Sequence, residues 1–141
     1  MITLITDFGD RGGYAGIMKG VILTINPRCP IVDITHHIAP QNIEEAAFVL
    51  GSAYPFFPDG TVHLVVVDPG VGGPRKPIIV ECERHRFVGP DNGAFTHLLD
   101  QLAPGLARWK QARQGHAGDK TGQVVVIGQR GPQGGRIRLH R

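Results

Sequence analysis

A chain of 141 residues with 41% hydrophobic residues is long enough for one domain around one core, and no window approaches the length needed to span a bilayer. The formal net charge of +3 hides a split: residues 1–103 hold seven Lys/Arg against eleven Asp/Glu, whereas residues 104–141 hold eight against the single Asp119. The basic tail shows no RNA- or DNA-binding signature and offers only Trp109 for stacking, which argues against nucleic acid as the partner. Cys29 and Cys82 are far apart with no CxxC and read as reduced thiols. With no signal peptide or membrane span in view, a cytoplasmic location is the default expectation.

In chain order, residues 2–6 are apolar and β-branched and predict a first strand. The glycine-rich stretch Asp7-Phe8-Gly9-Asp10-Arg11-Gly12-Gly13 is a turn. Tyr14 to Ile25 then shows apolar residues at helical spacing (Ile17, Val21, Ile22, Ile25) and stops before Pro27. Ile31 to Ile34 predicts a short strand. Asn42 is a plausible N-cap for a helix through Ala53, with Glu44 and Glu45 in the first turn, where the helix dipole favours them. Thr61 to Val67 reads as a buried strand. Pro77 to Cys82 and His85 to Val88 look like a hairpin pair, and Ala94 to Leu102 like a helix ending near Pro104. After residue 103 only Gln123 to Ile127 looks like a strand, and the basic Gly/Arg/Gln-rich tail 104–141 is expected to be poorly ordered. Strands alternating with helices predict a three-layer α/β fold, with a mostly parallel or mixed central sheet and helices on both faces.

The densest chemistry lies in Val65-Val66-Val67-Asp68-Pro69-Gly70-Val71-Gly72-Gly73-Pro74-Arg75. An apolar β-branched run ends at a carboxylate, passes through a Gly/Pro turn and reaches a guanidinium. Ligands in open α/β sheets bind outside the carboxyl ends of strands, so a strand-terminal Asp is well placed for chemistry. Taken alone, the segment is equally an Asp capping its turn with Arg75 solvated beyond it. Asp7 repeats the pattern of strand, carboxylate and glycines. If the two strands are neighbours, both carboxylates face one crevice, suited to a ribose diol or a positive charge. A helix-capping Asp7 would explain that residue but not the recurrence. The glycines do not form a phosphate cradle: Gly70-Val71-Gly72-Gly73 runs into Pro74, and there is no GxxxxGK[ST]. NAD and ATP are therefore disfavoured, while a nucleoside is not. His36-His37 has no further ligands at metal spacing, so one His is expected to be hydrogen-bonded and the other exposed. Gly89-Pro90-Asp91-Asn92-Gly93 is a turn by composition.

Six stretches together resemble the S-adenosylmethionine hydroxide adenosyltransferases, relatives of the fluorinases and chlorinases. They are Thr6-Asp7-Phe8-Gly9, Tyr14 to Gly20, Asp33-Ile34-Thr35-His36 with Pro40, Phe56-Phe57-Pro58, Val67 to Gly72 with Arg75, and Gly89 to Gly93. They occur in family order over about the first 100 residues. The resemblance implies an N-terminal α/β domain over residues 1–103, a C-terminal β-rich domain without counterpart here, and a homotrimer with active sites between subunits. It implies hydrolysis of S-adenosylmethionine to adenosine and methionine, with no cofactor and no metal. By the same resemblance Asp68 and Arg75 handle the attacking water. Asp7 holds the ribose hydroxyls, and Phe8, Tyr14, Gln41, Asp91 and Asn92 contribute to substrate binding. A guanidinium beside a carboxylate favours its charged form, and an ionised Asp68 near the sulfonium would offset its charge while repelling a halide.

The sequence also departs from the pattern. The family's downstream Ser/Thr-Phe-His-Gly-Arg-Asp stretch, which carries its third catalytic residue, has no match here; His116 has different neighbours, Gly115 and Ala117. Gly12 stands where many relatives carry an acidic residue. The fading of the likeness near residue 103 is the expectation of a truncated or frame-shifted product. Two alternatives therefore stand beside hydrolysis: a catalytically dead remnant or nucleoside-binding module of the same family, and, with less support, a basic-tailed nucleic-acid-binding protein.

Overall fold

A computed structural model describes residues 1–82, 84–101, 107–111 and 127–128. Strand β1 (Ile2–Thr6) leads through a glycine turn to helix α1 (Tyr14–Ile25) and strand β2 (Ile31–Thr35). Helix α2 (Ile43–Ala53) follows, then a single 3₁₀ turn at Tyr54–Phe56, and then strand β3 (Val62–Val66). Strands β4 (Pro77–Cys82) and β5 (His85–Pro90) form the expected hairpin, and helix α3 (Thr96–Gln101) follows. Strands β6 (Ala107–Gln111) and β7 (Ile127–Gly128) complete a sheet of order β2-β1-β3-β5-β4-β6-β7. Strands β2, β1, β3 and β5 run parallel, and β4, β6 and β7 pair antiparallel, so the sheet is mixed. The sheet thus continues past residue 103, where the sequence reading placed the edge of the α/β domain. Most of the strand expected over Gln123 to Ile127, the remainder of the basic tail and His116 lie outside the described residues.

The local reasons for these elements are ordinary ones. Asn42 caps α2 by accepting the Glu45 amide at 3.0 Å, and Glu45 reaches back to accept the Ala39 amide at 2.9 Å, so two otherwise orphaned N–H groups are satisfied. Ala46 and Leu50 of α2 and Leu98 of α3 close over Ile5, Val65 and Phe87, forming the main core on one face of the sheet. Helix α1 meets the other face at β2. Its Lys19 pairs with Asp33 of β2, which is in register with Leu4 and so points away from the main core.

The α1 side chains bearing on the sheet are Ala15, Met18, Lys19 and Ile22, all half-buried and spaced as one helical stripe. The neighbouring apolar stripe of Tyr14, Ile17, Val21 and Ile25 is exposed, and no residue of α1 is fully buried. The helix is therefore apolar on two sides, and periodicity alone does not say which side meets the sheet.

Where β5 crosses β3 the strands approach too closely for a side chain: a Cβ at Gly89 would lie 2.7 Å from the Val65 carbonyl oxygen and 2.9 Å from the Phe95 ring. At the amino end of the sheet His63 is fully buried. Its Nδ1 shares a hydrogen with Thr3 Oγ1 at 2.8 Å, its Nε2 lies 3.2 Å from His85 Nδ1, and its ring stacks on Phe87. Burial, with the His85 ring beside it, pushes the His63 pKa down to about 4. Among the described residues no helix is long and apolar enough to cross a membrane.

Candidate active site at the carboxyl ends of β1 and β3

Strand β1 is where the strand order reverses. The chain leaves it through α1 to β2 on one side, and returns through α2 to β3 on the other. Ligands of open α/β sheets bind at such switch points, outside the carboxyl ends of the strands. Thr6 and Val66 are the last paired residues of β1 and β3. Asp7 follows Thr6 directly, and Asp68 follows Val66 by two. The two carboxylates therefore emerge from neighbouring parallel strands at the same end of the sheet.

Asp68 is only partly exposed. Its Oδ1 accepts the Gly70 amide at 3.0 Å and lies 3.3 Å from Arg75 Nη1. The turn-capping role read from the segment is present, but Arg75 folds back onto the carboxylate instead of extending into solvent. Gly70 makes this geometry accessible, because the place a Cβ would take at that position is filled by the Arg75 guanidinium. Any other residue there would push the arginine away. The loop is held shut by the Gly73 amide donating to the Gly70 carbonyl at 2.9 Å, and Gly72 supplies a left-handed backbone at φ 79°.

Asn92 belongs to the same end of the sheet. Its side-chain amide donates to the Val67 carbonyl at 2.8 Å, next to Asp68, while its Oδ1 accepts the Ala94 amide at 3.2 Å. The turn after β5 is thereby tied to the end of β3. Asp91 is exposed, and its backbone amide donates to the Lys76 carbonyl at 3.1 Å.

Asp7 does not cap α1, whose N-cap is Gly13 without a side-chain bond. Instead its Oδ2 accepts the Gln41 amide at 2.8 Å. Gln41 adopts φ 64°, the only non-glycine residue with positive φ among those described. That left-handed conformation costs roughly 1–2 kcal/mol and persists where the surroundings demand it, often beside functional groups. Here it turns the amide onto Asp7. Phe8 and Tyr14 form a tilted aromatic pair, ring centroids 5.9 Å apart, on the connection from β1 to α1.

Asp68, Arg75 and Asn92 thus form one cluster, Asp7 and Gln41 a second at the adjacent strand end, and Phe8 with Tyr14 a third on the following turn. Of the two adjacent histidines, His36 is buried and bonded to Thr6, whereas His37 is exposed and lies 2.9 Å from Asp10. The sequence reading assigned Thr6, Asp33 and Lys19 no part in the site. Asp33 is pushed up by partial burial, but Lys19 and His36 outweigh that and hold it below the usual carboxylate range. Among the described residues no group of three or more His, Cys, Asp or Glu could hold a metal ion.

Residues 2–122 match the family described as SAM hydroxide adenosyltransferase N-terminal domain. The chain is 49% identical over 107 residues to the (R)-S-adenosyl-L-methionine hydrolase of Methanocaldococcus jannaschii, a match covering 72% of this chain and 40% of that protein. It is 40% identical over 124 residues to the enzyme of the same name from Thermus thermophilus, covering 82% of this chain and 48% of the relative. The crystal structure of an uncharacterized conserved protein from Thermotoga maritima superposes with a TM-score of 0.76 at 42% identity, covering 80% of this chain and 43% of that one. The chain thus spans somewhat under half the length of the relatives it matches. On the family match, the level of identity and the shared fold, the protein belongs to the SAM hydroxide adenosyltransferase family, matching its N-terminal domain.

Proposed function

We propose that the protein hydrolyses S-adenosylmethionine to adenosine and methionine, using the carboxyl-end crevice between β1 and β3. The observation that carries this reading is the emergence of Asp7 and Asp68 from adjacent parallel strands at the switch point, each already oriented by a backbone amide. Asp7, with one oxygen on the Gln41 amide, has its other oxygen left for the ribose hydroxyls. Phe8 and Tyr14 offer ring surface to the nucleoside, with Gln41, Asp91 and Asn92 at its rim. Asp68 and Arg75 orient the attacking water.

In the proposed step, water oxygen bonds to the ribose 5′ carbon in line with the departing sulfur. The C5′–S bond breaks, and its electron pair returns to sulfur, which leaves as the neutral thioether of methionine. The water proton passes to Asp68 and then to solvent. A sulfonium leaves without protonation, so the protein's task is to position water and begin removing its proton. Water is favoured over halide as the nucleophile because the carboxylate beside the attack path repels an anion.

The reading extends to a homotrimer with sites completed between subunits. The exposed apolar stripe of α1 supports assembly of copies, since an uncovered patch of this kind marks a contact surface. Sedimentation should then give three times the 15.2 kDa chain mass.

The deciding experiment incubates the purified full chain with S-adenosylmethionine, with and without chloride, and separates the products. Adenosine with methionine in both conditions is expected. A chlorinated nucleoside would replace hydrolysis by halide transfer. Adenosine binding by calorimetry without turnover would leave a nucleoside-binding module. The absence of both binding and turnover would overturn the reading.

A further inference from the structure

Strand β2 carries an irregularity that no fold requirement explains. Leu4 is in register with Asp33, yet the next residue of β1, Ile5, is in register with Thr35, so Ile34 is an extra residue in β2. In a regular strand residues three apart point to opposite faces. The bulge removes one step of that alternation and brings Asp33 and His36 to the same face. As a result His36 Nε2 lies 3.1 Å from Asp33 Oδ1, and His36 Nδ1 lies 2.8 Å from Thr6 Oγ1, which the register now sets beside it. Both Thr6 and His36 are buried.

The donors and acceptors run in one direction. Nε2 faces a carboxylate, which only accepts, so the tautomer with the proton on Nε2 suits the site, and in that tautomer Nδ1 accepts from the Thr6 hydroxyl. The Thr6 oxygen in turn accepts the Phe8 amide at 3.3 Å. Lys19 of α1 holds the far oxygen of Asp33. Among the described residues His36 Nε2 has no aligned hydrogen-bond partner, so the imidazole's best-aligned contact is the one to Thr6. The backbone of His36 acts on the same segment, its carbonyl accepting the Gly9 amide at 2.8 Å. Thr6 and Gly9, the residues that flank Asp7-Phe8, are therefore both held by His36.

We propose that His36 is a positioning residue for the Asp7 carboxylate, set in place by the Ile34 bulge and acting through the Thr6 hydroxyl. The role rests on the reading of Asp7 as the ribose ligand. It predicts a binding effect with little change in the chemical step, because nothing in the chain of bonds reaches Asp68 or Arg75.

The test compares His36→Leu, His36→Asn and Thr6→Val in the full chain. His36→Leu and Thr6→Val should each raise the KM for S-adenosylmethionine and the adenosine Kd about tenfold, as expected for loss of one buried hydrogen bond, while kcat changes less than about threefold. The double variant should be no worse than either single, since both remove one bond. His36→Asn, whose side-chain oxygen can stand near the Nδ1 position, should recover most of the affinity. Unchanged adenosine affinity in a folded His36→Leu protein, or a fall in kcat at constant KM, would overturn the proposal.

Amide hydrogen exchange at Phe8 separates this inference from the functional reading. Exchange should speed up about tenfold or more in His36→Leu and Thr6→Val whether or not the wild type turns over. A wild type without binding or turnover removes the hydrolase reading, and an unaltered Phe8 exchange rate removes the positioning role. Should His36→Leu fail to fold, Thr6→Val breaks the same bond with a change of one atom, and Thr6→Ser serves as the restoring control.

Discussion

Arg75 reaches Asp68 by lying across the α-carbon of Gly70, with Nη1 3.3 Å from Asp68 Oδ1. The pair is therefore conditional on a hydrogen atom at position 70. Gly70→Ala should displace the guanidinium and lower turnover about as much as Arg75→Ala, by roughly a hundredfold or more, with no further loss in the double variant. Steady-state kinetics on the three proteins checks this, with circular dichroism to confirm the fold.

Asp68→Asn retains an oxygen to accept the Gly70 amide but cannot take a proton from water. Turnover should fall by about 10²–10⁴-fold, while the melting temperature stays within a few degrees of wild type. Full turnover in this variant would remove Asp68 from the water-handling role.

At Gln41 the backbone is strained and the amide is used. Gln41→Gly keeps the N–H and relieves the left-handed strain, so stability should rise by up to about 1 kcal/mol with adenosine affinity retained or improved. Gln41→Pro deletes the N–H and forbids the positive φ, so it should weaken adenosine binding and destabilise the loop. Urea denaturation and calorimetry on the pair give both readouts.

The buried His63 makes stability pH-dependent. Its folded pKa of about 4 lies below the ordinary 6.5, so the neutral ring is what the fold accommodates. The unfolded chain binds more protons between those two values. The contribution is therefore fully present above pH 6.5 and is lost as pH falls toward 4, amounting to about 3 kcal/mol over that window. Urea midpoints between pH 7 and pH 4 should fall more steeply for wild type than for His63→Gln.

Gly89→Ala places a methyl group 2.7 Å from the carbonyl of Val65, a residue paired with Ile5 in the β1–β3 ladder. A loss of about 1–3 kcal/mol is expected from overpacking, measured by chemical denaturation.

Much of the local structure was legible from composition and period. The strand over residues 2–6, the helix from Tyr14 to Ile25, the Asn42 cap and the β4–β5 hairpin all follow from short-range preferences: β-branched runs, 3.6-residue spacing, a capping side chain and punctuating prolines. The recurrence of strand, carboxylate and glycines at Asp7 and Asp68 was equally plain, because the chemistry of a strand end is written in adjacent residues.

What sequence alone determined is therefore most of the strands and helices up to α3, and which side chains stand at their ends; strand β6, which lies in the stretch expected to be poorly ordered, is added by pairing with β4. Which strands are neighbours was decided by long-range packing, and with it the emergence of Asp7 and Asp68 at one switch point. The same holds for the outward apolar stripe of α1, the bulge at Ile34 that brings His36 to Thr6, the left-handed Gln41 and the guanidinium lying over Gly70. Each depends on contacts between residues distant in the chain or on a single register step, and a one-residue shift reverses every face assignment without changing the local pattern.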